Sequence, residues 1–222
     1  MTNIDDLSGY FNNKALLDLA LTHKSWVNEH PEEKESNERL EFLGDAVLEF
    51  VVSKELYTNF PEKEEGYLTA LRASLVNTVN LADIAQKAQV GKRLKLSKGE
   101  EDSGGRENPS ILANAVEAII GALYIDGGIK NAEEFIKLNL LTKIEEKINQ
   151  PLKDAKSRLQ EHVQSLGFPS PRYQVVEEAG PDHSKKFTIE VLIEGKPTGR
   201  GVGRNKSEAE QEAAKDALKN YE

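Results

Sequence analysis

The sequence predicts an all-α N-terminal domain followed by a small α+β domain of order α-β-β-β-α. Three observations carry that expectation. Through the first 150 residues or so, apolar side chains recur at helical spacing, as in Leu40, Leu43, Val47, Phe50 and Val51. Around Pro151 that pattern stops. Beyond it, short runs of β-branched and aromatic residues lie between two helical patterns. The division expected is residues 1–149, a linker at 150–153, and residues 154–222.

Taken in order, Leu16, Leu17, Leu19, Ala20 and Leu21 crowd a first helix, and Thr22-His23 lead into a polar loop through Pro31. The next helix runs from Asn37 to about Asn59 and is stopped by Pro61. Residues from Glu64 to Ala88 read as helical, with a break near Asn77 to Asn80. The Gly- and charge-rich KGEEDSGGRENP reads as a loop, with Ser110 as N-cap of a helix from Ile111 to Ile125. Gly127-Gly128 closes that helix, and a last one covers roughly Asn131 to Ile148. After the linker come a helix from Ala155 to Leu166, strands at Tyr173–Val176, Phe187–Ile193 and near Gly199 to Val202, and a helix from Lys206 to Tyr221. That last helix has a face of Ala209, Ala213, Ala214 and Ala217.

Composition narrows the function classes. The absence of cysteine excludes disulfides and thiolate zinc sites. The longest nearly apolar run, Ala118 to Ile125, ends at Asp126, so no membrane span is expected. The N-terminal MTNIDDLSGYF has acids where a secretory signal carries basic residues, so a soluble, cytoplasmic chain is expected. Net charge is -9, of which -8 falls on residues up to Lys153 and -1 on the remainder. An acidic module still acts on nucleic acid where its carboxylates hold metal ions and another surface grips phosphate.

The segment Asn37 to Leu48, NERLEFLGDAVL, holds the densest chemistry. On a helix, Glu38, Glu41 and Asp45 fall at i, i+3 and i+7, within about 60° of one another at ~100° per residue. Such a stripe is most often a solvated face, but its mutual repulsion is relieved where a hard cation sits between the acids. A second helix offers Asn114 and Glu117 at i, i+3, and Glu64 and Glu65 precede Gly66 in a loop. Oxygen donors alone favour Mg²⁺ or Mn²⁺ over Zn²⁺. His23 is expected to cap or hydrogen-bond locally rather than act as a base. Gly104-Gly105-Arg106 reads either as a phosphate contact or as a plain surface loop.

NERLEFLGDAVL closely resembles the signature of the ribonuclease III family. SILANAVEAIIGALYIDGG, Ser110 to Gly128, resembles that family's second acidic helix, and Glu65-Gly66 and Leu21-Thr22-His23 match as well. The resemblance implies an all-α endonuclease domain in which Glu41, Asp45, Asn114 and Glu117 hold Mg²⁺, with Mn²⁺ as a substitute. It places Glu38 and Glu65 as further acids of the catalytic valley, and it implies no small-molecule cofactor. It also implies hydrolysis of double-stranded RNA, including ribosomal precursors and structured messengers, to 5′-phosphate and 3′-hydroxyl ends with two-nucleotide 3′ overhangs. The family works as a homodimer of this domain, and Phe42 occupies the position whose side chain enters a socket on the partner; plain core packing is its other reading. The departure is Asn114, where most members carry aspartate. Its amide oxygen still ligates Mg²⁺, with one negative charge fewer, so retained activity at a higher Mg²⁺ requirement is expected.

Residues 154–222 resemble a double-stranded RNA-binding domain. The matching pieces are Lys156 to Glu161, the loop Gly180 to Lys186, and Gly203 to Gln211. Such a domain reads A-form shape across two minor grooves and the phosphates between them. The resemblance places Lys156, Gln160 and Glu161 on the first helix toward RNA, with Gln160 and Glu161 at ribose 2′-hydroxyls. His183 then enters the next minor groove, and Arg204, Asn205 and Lys206 hold phosphates at a helix N-terminus. Ser207 stands where a second basic residue is common, so a weak clamp is expected. The alternative reading is a double-stranded RNA-binding regulator whose cleavage is weakened or lost through Asn114.

Overall fold

Two separate hydrophobic cores organise the chain, one within Met1–Gln150 and one within Pro151–Glu222. A computed structural model describes residues 7–144, 154–181 and 185–221; the linker expected at 150–153 and His183 lie outside these.

The first unit is helical. Helix α1 (Lys14–Ala20) is capped by Asn13, whose side chain accepts from the Ala15 amide. The polar stretch after Thr22, expected as a loop, contains helix α2 (Lys24–Glu29). Its N-cap is His23, which accepts from the Ser25 amide, so the imidazole fills the role that a serine or aspartate more often has. Helix α3 (Glu38–Asn59) follows Asn37, a buried residue whose amide N–H donates to Thr22 O at 2.8 Å and whose side chain donates to Ala20 O at 3.2 Å. These two bonds fix where the signature helix starts.

Helices α4 (Glu65–Leu75) and α5 (Thr78–Lys87) divide at Asn77, which caps the second by accepting from the Asn80 amide. The stretch expected as a Gly-rich loop holds a short helix, α6 (Lys98–Asp102), and a 3-10 turn at Gly105–Glu107. Helix α7 (Pro109–Asn139) starts earlier than expected: Asn108, not Ser110, is its N-cap, and Pro109 takes the first turn, where a missing N–H costs nothing. Gly128, at φ 74° and ψ -170°, breaks the helical geometry inside this element, so the stop expected at Gly127-Gly128 is a kink.

By length and composition, α7 is apolar enough to cross a membrane, which corrects the reading that no segment qualifies. Leu112, Val116, Ile119, Ile120 and Leu123 are, however, buried within the unit. An all-round apolar helix of this kind is the centre of a core.

In the second unit, α8 (Ala155–Ser165) precedes β1 (Arg172–Ala179), β2 (Lys186–Ile193), β3 (Lys196–Gly203) and α9 (Lys206–Leu218). The sheet is antiparallel in the order β1-β2-β3. Gly199, Gly201 and Gly203 alternate along β3 and lie directly under Ala209, Ala213 and Ala217 of α9, where a Cβ would collide with the helix. Small residues on both sides let the helix sit on the strand, and Leu159, Val163, Ile189 and Val191 complete the core.

Candidate functional site

Two glycines set the geometry of the acidic cluster. A Cβ on Gly44 of α3 would overlap the carbonyl of Glu117, and a Cβ on Gly121 of α7 would overlap the carbonyl of Leu40. The backbones of α3 and α7 therefore cross in direct contact at these positions. Glu41 and Asp45 flank the crossing on one helix, and Asn114 and Glu117 precede it on the other. Each glycine sits in an apolar helix, where it costs helix propensity; a pair of such glycines is the sequence signal for this close approach.

The crossing couples the charges. The Glu117 carboxyl is pushed up from 4.5 to about 7, first by burial and then by the charges of Asp45 and Glu41. Glu41 is also raised, first by burial and then by Glu38, with Lys24, and a hydrogen bond from the Asn114 amide, pulling the other way. Asn114 thus stands near Glu41 as a neutral member of the cluster. Glu38 is exposed, pairs with Lys24 at 3.3 Å and accepts from Ser36 Oγ at 3.2 Å.

Glu65 is not brought to these residues. It begins α4, accepts from Thr69 Oγ1 at 2.9 Å, and lines a groove with Phe50, Tyr57, Leu68 and Arg72. Among the described residues, no group of three or more His, Cys, Asp or Glu side chains is drawn together closely enough to enclose an ion. Like-charged carboxylates gain nothing by closing on one another without a cation between them.

Arg106, partly exposed, is committed to neighbouring loops. Its guanidinium donates to Gly91 O at 2.8 Å and Leu94 O at 2.9 Å and pairs with Glu101 at 2.7 Å, stapling one loop to another. Phe42 is 82% exposed beside Glu38 and Leu43, which rules out core packing within this unit.

In the second unit, Gln160 and Glu161 are exposed on α8. Lys156 instead ties α8 to α9: its ammonium pairs with Glu210 at 2.6 Å and lies 4.9 Å over the Tyr173 ring. Asn205 is the N-cap of α9, its side chain accepting from the Glu208 amide at 2.9 Å, and Glu208 accepts from the Arg204 amide at 2.8 Å. The Asn205 carbonyl oxygen is therefore used by the fold. The Arg204 and Lys206 side chains are exposed at this helix start.

Comparison with known proteins bears on what this arrangement is. Residues 13–144 match the family described as Ribonuclease-III-like, and residues 155–221 match the double-stranded RNA binding motif. Over 209 residues, 94% of this chain and 92% of the relative, the sequence is 49% identical to Ribonuclease 3 of Oceanobacillus iheyensis. The chain belongs to the ribonuclease III family.

Ribonuclease 3 of Streptococcus pneumoniae is similar at 48% identity over 94% of this chain and 90% of its own length. The solved nuclease domain of ribonuclease III from Campylobacter jejuni is 42% identical, with a TM-score of 0.56, covering 68% of this chain and 99% of that one. As a ribonuclease III carrying a double-stranded RNA binding motif, the chain is a double-stranded RNA endoribonuclease. None of these similarities favours a regulator that binds without cutting.

Proposed function

We propose that this ribonuclease III is a divalent-cation-dependent enzyme, active as a homodimer, in which Glu41, Asp45, Asn114 and Glu117 form the metal-holding set. The observation that carries the reading is the Gly44–Gly121 crossing, which half-buries Glu117 close to the acids of α3; burial first, and then the charges of Asp45 and Glu41, raise its carboxyl to about 7. A site that crowds carboxylates at such cost is relieved by a cation, and the all-oxygen donor set suits Mg²⁺, with Mn²⁺ as substitute.

A divalent cation held there supplies the Lewis acidity that activates water and offsets charge on the phosphodiester. The protein's own residues prepare the place. Asn114 lies close enough to Glu41 to favour its ionised form, and its amide oxygen is a neutral ligand for a cation. Burial, and then the charges of Asp45 and Glu41, raise the Glu117 carboxyl to about 7, so its ionised form is costly there without a cation. Glu38, held by Lys24 and Ser36, adds negative potential at the solvent edge. Glu65 stands outside this set and contributes, in our reading, to the RNA-facing valley.

The products proposed are 5′-phosphate and 3′-hydroxyl ends with two-nucleotide 3′ overhangs, from one site in each protomer. Homodimerisation through the helical unit is supported by the exposure of Phe42 and by a structure of the Campylobacter jejuni nuclease domain concerned with a region involved in dimer formation; that domain is 44% identical to this chain at a TM-score of 0.55, covering 61% of this chain and 94% of that one. Gln160 and Glu161 on α8, and Arg204 and Lys206 at the start of α9, form the proposed RNA-facing surface of the second unit.

The test is cleavage of a labelled RNA hairpin across a Mg²⁺ titration, beside Asn114→Asp. Cutting by the unmodified chain with a Mg²⁺ requirement lowered by Asn114→Asp is expected. Cleavage unaffected by chelator, or absent at every Mg²⁺ concentration in both proteins, sinks the reading.

A further inference from the structure

Glu178 and Phe187 stand directly opposite each other across β1 and β2, and two lysines from different elements converge on that pair. Lys185 Nζ lies 2.8 Å from Glu178 Oε2 and 5.7 Å from the centre of the Phe187 ring. Lys206 Nζ, from the start of α9, lies 3.7 Å from Glu178 Oε1 and 5.7 Å from the same ring centre. One carboxylate oxygen thus serves each ammonium, and one aromatic ring flanks both.

We propose that Lys185 and Lys206 form a two-lysine phosphate site which Glu178 occupies in the free protein, so that RNA binding proceeds by exchange of a carboxylate for a backbone phosphate. This rests on the reading of the second unit as RNA-binding and adds Lys185 and Glu178 to its surface. A carboxylate and a phosphodiester each carry one negative charge and present two oxygens, which makes Glu178 an internal stand-in for the ligand.

The side chains of Glu178 and Lys185 are each 37% exposed and that of Lys206 is 59% exposed, so the pairs form in high dielectric and are easily exchanged. The Phe187 ring offers both ammonium groups a resting place when the carboxylate lets go, which keeps the two charges together. Lys185 first, then Lys206, hold the Glu178 carboxyl below its ordinary range, which favours its ionised form. Its effect is a constant brake on affinity.

Binding of the full chain to a labelled RNA duplex, in chelator to prevent cutting and across a salt series, tests this. Glu178→Gln is expected to bind roughly three- to ten-fold tighter at low salt, with a log–log salt slope steeper by about one, because one more phosphate contact releases one more counterion. Lys185→Gln is expected to bind more weakly with a shallower slope. Glu177→Gln removes the same charge from the other face of the strand, beside Arg200 at 4.0 Å, and is expected to change neither quantity. Unchanged or weaker binding by Glu178→Gln overturns the proposal, as does equal strengthening by Glu177→Gln, which marks a general charge effect. If the unmodified chain binds no duplex, the RNA-binding reading itself falls and the proposal goes with it.

Discussion

Gly44 of α3 packs against the carbonyl of Glu117 on α7 so closely that no side chain fits between them. The same crossing brings the amide nitrogen of Gly121 to 2.9 Å from where a Gly44 Cβ would stand. Helix packing and the acidic site are therefore one feature. Gly44→Ala is expected to destabilise the protein by about 2–3 kcal/mol or more, as overpacking forces the helices apart. Urea unfolding measures this, and cleavage of a hairpin should fall more steeply than stability accounts for. Near-normal stability in Gly44→Ala would contradict the packing.

Glu117 makes stability depend on pH with a definite sign. Its carboxyl is raised from 4.5 to about 7 in the fold, so the folded state binds this proton more tightly than the unfolded chain. The contribution is complete below 4.5 and lost as pH climbs through about 7. In chelator, Glu117→Gln is expected to lose less stability than the unmodified chain between about pH 5 and about pH 8. Parallel pH profiles for the two proteins would count against the raised carboxyl. Glu41 shifts in the same direction, so some dependence remains in the variant.

Phe42 exposes 82% of its surface on the signature helix. Burying a phenylalanine contributes ~1.5–3 kcal/mol, which corresponds to roughly ten- to a hundred-fold in an equilibrium constant. Phe42→Ala should therefore raise the dimer dissociation constant by at least that range while leaving the melting of the monomer nearly unchanged. Sedimentation equilibrium over a dilution series reads it directly. A dissociation constant equal to that of the unmodified protein would place the interface elsewhere.

Arg106 separates a structural from a nucleic-acid role. Its bonds to Gly91 O and Leu94 O satisfy partly buried carbonyls, and deleting such charge-assisted bonds costs about 1–3 kcal/mol. Arg106→Ala is expected to lower thermal stability and leave RNA affinity at its original value. The reverse pattern, weaker RNA binding at full stability, would restore the phosphate contact.

Periodicity located α3 and the long apolar helix, because they bury one face or are buried all round and their sequences record it. The strands of the second unit were marked instead by β-branched and aromatic runs, which show even in β1, none of whose residues is buried. Periodicity missed α2 and α6, which are short, polar and held by caps and tertiary bonds rather than by an apolar stripe. The acids of the site were legible in the same way, since Glu38, Glu41 and Asp45 share a helix face. That Glu65 lies apart from them, and that Asn205 caps its own helix while Lys156 is spent on Glu210, was not. Residue type states what a side chain is able to do, whereas neighbours decide what it is used for.

By itself, the sequence determined the division into a helical and an α+β part, which is written in local spacing, and it carried the motifs whose resemblance pointed to the family and to the candidate carboxylates. Only the tertiary structure decided which of these acids come near one another and what that does to their ionisation. That rests on two glycines in different helices, 77 positions apart in the chain, meeting backbone to backbone. Charges couple through space, and the distances that set the coupling exist only once α3 and α7 have crossed.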